Sequence, residues 1–161
     1  MNIITDPQYI SKLADLEESV RDSKLILAAG VRIDSFVKIK FAGGLGDIII
    51  DENVYINSGT VMYSGNGIKI GRDVMIAANC TLAPTNHAFK RTDIPMIQQG
   101  FMESKGGIII EDDVWIGANS VILDGSYIKK GAIIGAGSVV RGLVESNTIV
   151  AGNPQKKIGN R

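Results

Sequence analysis

The one side chain in this sequence whose ordinary pKa lies near neutrality is His87, the chain's single histidine. Proton transfer near pH 7 falls to it most naturally, because carboxylates are already ionised there and lysines still carry their protons. Asn86 precedes it. Phe89, Lys90-Arg91, Asp93, Ile94-Pro95-Met96 and Phe101 follow, in a stretch from Ala83 to Gly107 that has no period. An aperiodic stretch this long inside a compact domain is usually functional or disordered, and its aromatic and charged contents argue for function. The same census excludes a zinc enzyme that clusters three histidines, since one histidine and one cysteine, Cys80, cannot complete such a site. From the residues alone, His87 is a candidate base and equally a surface histidine.

The elements that must position this stretch announce themselves by an aliphatic residue at every sixth place. Ile50, Ile56 and Met62 form one group; Ile70, Ile76 and Leu82 a second; Ile110, Ile116, Ile122, Ile128, Ile134 and Val140 follow the loop. A period of six fits neither the 3.6 of a helix nor the 2 of a plain strand, so each six is one unit of a solenoid. Three places after the anchors stand Asn53, Gly59, Gly65, Asp73, Asn79, Asp113, Asn119, Gly125, Gly131 and Gly137, residue types that reach positive φ at low cost and turn the chain. Two places before them stand Val54, Thr60, Val74, Cys80, Val114, Ser120, Ser126, Ala132 and Ser138, small or β-branched side chains suited to the inside of a corner. Short strands joined by such corners predict a triangular parallel coil with an aliphatic core, and Cys80 reads as packing within it.

Outside this region the pattern is read differently. Residues 1–30 predict a helical segment, with Thr5 or Asp6 as cap, Pro7 in the first turn and Tyr9, Leu13, Leu16 and Val20 as one apolar face. Residues 31–143 are expected to hold the coils, of which 31–47 is irregular, with the loop 83–107 extruded from them. After Val140 the period is expected to end, and 144–161 to lead away as a basic tail. From Ser126 to the end, Lys129, Lys130, Arg141, Lys156, Lys157 and Arg161 face one acid, Glu145. Over the whole chain seventeen basic and seventeen acidic residues cancel, which argues against a nucleic-acid-binding or membrane-surface protein. No apolar run reaches membrane length, and the expected compartment is the cytoplasm.

The hexad repeat, Asn86-His87 at the opening of the loop, Asp112-Asp113-Val114-Trp115-Ile116-Gly117-Ala118-Asn119, Ile134-Gly135-Ala136-Gly137-Ser138-Val139-Val140 and Ala151-Gly152-Asn153-Pro154 together resemble the hexapeptide-repeat acyltransferases. The likeness is to the branch of galactoside, maltose, xenobiotic and polysaccharide O-acetyltransferases, and it covers residues 48–158. It implies an all-β fold, a left-handed parallel β-helix, assembled as a homotrimer with active sites between subunits. It also implies acetyl-coenzyme A as co-substrate, no metal, and His87 as the general base toward an acceptor hydroxyl. By the same likeness Trp115, Gly117, Ala118, Gly135 and Ala136 line the coenzyme, Arg141, Lys156 and Lys157 meet its phosphates, and Asn57 and Asn86 contact the acceptor. Arg91 and Asp93 could add loop contacts. Arg141-Gly142 departs from the hydroxyl residue and lysine found in many relatives. The expected activity is O-acetylation of a sugar hydroxyl in a surface polysaccharide or its precursor. An amine of a nucleotide-linked amino sugar, a xenobiotic acceptor, and a β-helix serving only as a scaffold remain open alternatives.

Overall fold

The computed structural model describes the backbone of Ile3–Ile4 and residues 6–161 in full. Three sheets, parallel except for the last strand of the second, run along the chain's coils as the faces of a triangular prism. The first, seven-stranded, takes Leu25–Leu27, Ile48–Ile50, Ile68–Ile70, Ile108–Ile110 and their equivalents from successive coils. The second, eight-stranded, takes Arg32–Ile33, Tyr55–Ile56, Met75–Ile76, Trp115–Ile116 and Ile133–Ile134 among others. The third, six-stranded, takes Lys38–Lys40, Val61–Tyr63, Thr81–Ala83, Val121–Leu123 and Val139–Val140. Anchors stack on anchors: Ile70 pairs with Ile50 and Ile110, Ile76 with Ile56 and Ile116, and Leu82 with Met62 and Ile122. All of these anchors are buried, as are the small residues two places before them. Burial also pushes the Cys80 thiol above its ordinary pKa, as suits a packing residue.

The corners fold as their residue types dictate. Asn53, Asp73, Asn79, Asp113 and Asn119 all sit at φ between 57° and 59°, and Gly59, Gly65, Gly125, Gly131 and Gly137 are also at positive φ. Some corners need glycine for a second reason. A Cβ at Gly59 would stand 2.3 Å from Asn79 Oδ1 on the next coil, so the asparagine side chain fills the space the glycine leaves.

Two expectations about the ends are corrected. The N-terminal segment is not a helix: Ile3–Ile4, Tyr9–Ile10 and Asp15–Leu16 are the three strands of a first coil, paired in parallel to Leu25–Leu27, Arg32–Ile33 and Lys38–Lys40. Ile10 and Leu16 are themselves six apart. Their neighbours Leu13 and Val20, counted on the supposed apolar helix face, are 59% and 99% exposed. Backbone N–H groups of Gln8, Ser11 and Asp15 donate to carbonyls of the coil above at 2.9 Å, which satisfies them without a helix. Thr5, the alternative cap, lies outside the described residues. Residues 31–47 keep the expected irregularity: Val31, Ile33, Val37 and Ile39 are buried in phase, and a long corner, 41–47, with Gly43 at positive φ, then breaks the rhythm before Ile48–Ile50. Last, the period does not end at Val140. Val144 pairs with Ile128 and Val150 with Ile134, beginning another coil. Lys156–Asn160 then doubles back antiparallel on Thr148–Ala151, and Arg161 pairs with Asp113 at 2.6 Å, so the basic segment is folded against the prism.

Candidate active site

The long corner between Ala83 and Ile108 leaves the prism where the third sheet passes to the first. Its outgoing arm is tied down by the Asn66 N–H, which donates to the Pro84 carbonyl at 2.9 Å, and by the Thr85 hydroxyl, which donates to the Gly43 carbonyl at 3.0 Å. Its return is held by one carboxylate. Asp124 accepts the N–H groups of Lys105 and Gly107 at 2.9 Å each, and Asn66 Nδ2 at 3.2 Å. Between these ties the arms pair as a short antiparallel hairpin. The Met102 N–H donates to the Asn86 carbonyl at 2.8 Å and the Ala88 N–H to the Gly100 carbonyl at 3.0 Å, with His87 bridged to Phe101. The outer part is braced by the Gln99 side chain, which accepts the Arg91 N–H and donates to the carbonyls of Arg91 and Ile94. Arg91 and Asp93 are committed to one another as an ion pair, and the guanidinium holds the Asp93 carboxyl below its ordinary range. These two loop candidates therefore brace the loop.

His87 is exposed, and its ring lies against that of Phe101 with centroids 4.7 Å apart and planes inclined by 34°. Alternation along paired strands puts the two rings on one face of the hairpin and Asn86 and Met102 on the other. The second face roofs a cavity of about 250 Å3 with Asn86, Met102, Lys105, Leu123, Asp124 and Arg141 on its walls. Asn86 and Arg141, expected at different ligands, thus share one cavity. Asp124 is not among the residues expected from the sequence, since its partners lie far away along the chain. Its one legible trace is that Asp124-Gly125 stands where the loop stands one coil earlier.

The other expected site residues gather on a different ridge, where the second sheet passes to the third. Gly117 and Ala118 stack beneath Gly135 and Ala136: the Gly117 N–H donates to the Ile134 carbonyl and the Gly137 N–H to the Ala118 carbonyl, both at 2.8 Å. A Cβ on Gly117 would stand 2.6 Å from the Ala136 nitrogen, so this glycine permits the coils to approach. Trp115 enters the same corner from the second sheet, 47% exposed, beside Met75 and Ile133. Lys156 pairs with Ala151, which abuts Gly135, so Lys156 and Lys157 approach this ridge while Arg141 stands on the loop's ridge. Asn57 lies lower on the glycine ridge, and its Nδ2 donates to the Ile76 carbonyl at 2.9 Å, a bond that serves coil stacking. Within one chain, His87 and the glycine ridge stand at opposite edges of the third sheet. Among the described residues no group of three or more histidine, cysteine, aspartate or glutamate side chains could hold a metal ion, and no helix is long and apolar enough to cross a membrane.

Comparison with known proteins places this architecture. Residues 107–142 match the bacterial transferase hexapeptide (six repeats) family, and residues 47–84 match the hexapeptide repeat of succinyl-transferase. The two matches flank the loop. WbbJ of Escherichia coli K12, provisionally named a lipopolysaccharide biosynthesis O-acetyl transferase, is 36% identical over 136 residues, 80% of this chain and 65% of that protein. A provisionally named acetyltransferase of Saccharomyces cerevisiae, YJL218W, is 37% identical over 70% of this chain and 55% of its own length. The chain thus spans less than two thirds of either curated relative. Among solved structures, a variant of AntD, an N-acyltransferase from Bacillus cereus in complex with dTDP and coenzyme A, superposes with a TM-score of 0.80 at 25% identity, covering 98% of this chain and 83% of that one. The hexapeptide-repeat acetyltransferase VCA0836 of Vibrio cholerae, complexed with acetyl-coenzyme A, gives 0.64 at 26% identity, covering 83% of this chain and 69% of its own. The triangular coil is the left-handed parallel β-helix of these proteins.

Proposed function

Because the chain belongs to the hexapeptide-repeat acyltransferase superfamily, we propose that it transfers an acetyl group from acetyl-coenzyme A to a sugar hydroxyl, of a surface polysaccharide or its precursor. The observation that carries this reading is His87: the chain's one histidine, exposed on a hairpin fixed at both arms, where the repeat is interrupted. In the reaction the acceptor oxygen attacks the thioester carbonyl carbon while His87 takes the hydroxyl proton. The tetrahedral intermediate collapses, the carbon–sulfur bond breaks, and the thiolate leaves with the proton that His87 returns. The products are an acetyl ester and coenzyme A. A positioned base contributes a factor of about 10² to 10⁴, and holding the two substrates together supplies much of the rest.

The separation of His87 from the glycine ridge supports a site built between copies. In a homotrimer, the hairpin of one chain would meet the ridge of Trp115, Gly117, Ala118, Gly135 and Ala136 on the next, with Lys156 and Lys157 near the coenzyme's phosphates. The E. coli relative's name favours a hydroxyl acceptor. The AntD likeness favours an amine on a nucleotide-linked sugar as the second reading, and one histidine serves either nucleophile. The cytoplasm, where acetyl-coenzyme A is available, is the compartment this reading implies. The test is thiol release from acetyl-coenzyme A with a panel of sugars, amino sugars and nucleotide sugars. Acceptor-dependent release identifies the acceptor class. Absence of release with every acceptor, together with absence of coenzyme binding, would leave only a scaffold.

A further inference from the structure

Phe101 stands directly across the hairpin from His87, at the far end of the loop in sequence, and is half exposed at 49%. A large apolar ring at an exposed hairpin position gains little for stability from its surroundings. Its described ring contact is with the imidazole, at 4.7 Å between centroids and a tilt of 34°. An imidazole on an exposed arm otherwise rotates freely about two side-chain torsions, so only part of its time is spent aimed at an acceptor. We propose that Phe101 is a positioning residue for the reaction: by packing on one face of the His87 ring it restricts the rotamer and leaves the ring's edge, with its nitrogens, free to meet the acceptor proton. The inference rests on the reading of His87 as the base.

The arrangement around the pair fits this role. The arms are held in register by the Asn86–Met102 and Ala88–Gly100 backbone bonds on either side of the ring pair. The return arm is in turn anchored to the prism through Asp124. Phe101 is therefore held from outside the loop, and the histidine is held by Phe101. A ring placed only to shield the loop's interior would have no reason to lie on the histidine's face of the hairpin.

The test uses Phe101→Leu, which keeps apolar bulk, and Phe101→Tyr, which keeps the ring. Because the chain has one histidine, its imidazole proton resonances are unambiguous. They should be displaced by the ring current in the wild type and in Phe101→Tyr, and should return toward free-imidazole positions in Phe101→Leu. With the acceptor identified by the panel above, Phe101→Leu should lower kcat by up to about a hundredfold, leaving the KM for acetyl-coenzyme A unchanged, while Phe101→Tyr retains most of the rate. In a His87→Ala background, Phe101→Leu should add no further loss, since its effect passes through the ring that is gone. Tryptic cleavage at Lys90 and Arg91 no faster in Phe101→Leu than in the wild type shows that the loop has kept its shape. The inference is overturned if the resonances are indifferent to Phe101, if kcat is unchanged, or if the loss persists undiminished without His87, which would mean that Phe101 touches substrate itself. Wild-type rates in His87→Ala would instead overturn the assignment of the base, and the resonances would still report whether the rings are stacked.

Discussion

The short corners of the glycine ridge and the long corner at residues 84–107 do the same topological task and use their side chains in opposite ways. At Gly117, Gly135 and Asn57 the side chain, or its absence, is consumed by stacking: a clash avoided at 2.6 Å in one case, an amide bonded to a carbonyl of the next coil in another. In the long corner the backbone is fixed by a few ties from outside, and His87 is left exposed. Repetition therefore marks what holds the molecule together, and the proposed function places its base where repetition stops. It also explains why a solenoid can carry a site with little strain, since a coil tolerates an insertion at a corner without disturbing strand register.

The largest effect expected comes from erasing the difference. Replacing residues 84–107 with a two-residue corner copied from Asp124-Gly125 should leave a folded β-helix by circular dichroism and abolish acetyl transfer. Loss of the fold itself would show that the loop is structural. The converse experiment damages the repeat. Ile116→Ala, at a site with no exposed surface, should cost about 2 to 5 kcal/mol in denaturant unfolding, through lost burial and the cavity left behind. At temperatures where this variant remains folded, its kcat should stay near that of the wild type. Weaker, but more informative about the boundary between the regions, is Asp124→Asn. The amide turns an acceptor of three donors into a partial donor, so the return arm should open more often and tryptic cleavage at Lys90, Arg91 and Lys105 should accelerate on the order of tenfold, with the unfolding midpoint little changed. The smallest effect belongs to the ladder alone. The Tyr127 hydroxyl, and after it the Lys130 N–H, hold the Glu111 carboxyl below its ordinary range. A lowered folded pKa contributes stability that is present above the ordinary glutamate value and lost as pH falls through the folded one. The melting temperature of Glu111→Gln should therefore fall slightly below that of wild type at neutral pH and converge with it in acid, with no change in acetyl transfer.

How much of the molecule is legible in the sequence follows the same division. Ile50 to Leu82 and Ile110 to Val140 read directly as coils, because a six-residue period with Asn, Asp or Gly three places later suits neither a helix nor a plain strand, and all ten of those residues sit at positive φ. The first coil is hidden because Tyr9, Leu13, Leu16 and Val20 also satisfy a helical spacing, and only pairing with Arg32–Ile33 and Lys38–Lys40 decides between them. The C-terminal coil is hidden because Val144 stands four places after Val140 rather than six, a phase slip that conceals the next pair of anchors. Within the site, His87 can be found by its chemistry, but Asp124 and Phe101 act through contacts that cross the loop. No spacing rule connects a carboxylate to N–H groups on the far side of an aperiodic segment, nor two rings at opposite ends of it.

The most direct test of the central claim, that the interrupted corner carries the base, is the rate of thiol release from acetyl-coenzyme A by the wild type and His87→Ala with the acceptor the panel identifies. If His87 is the base, kcat falls by a factor of about 10² or more, with coenzyme affinity and melting temperature unchanged. A rate within a few-fold of wild type would contradict it and place the base elsewhere in the molecule.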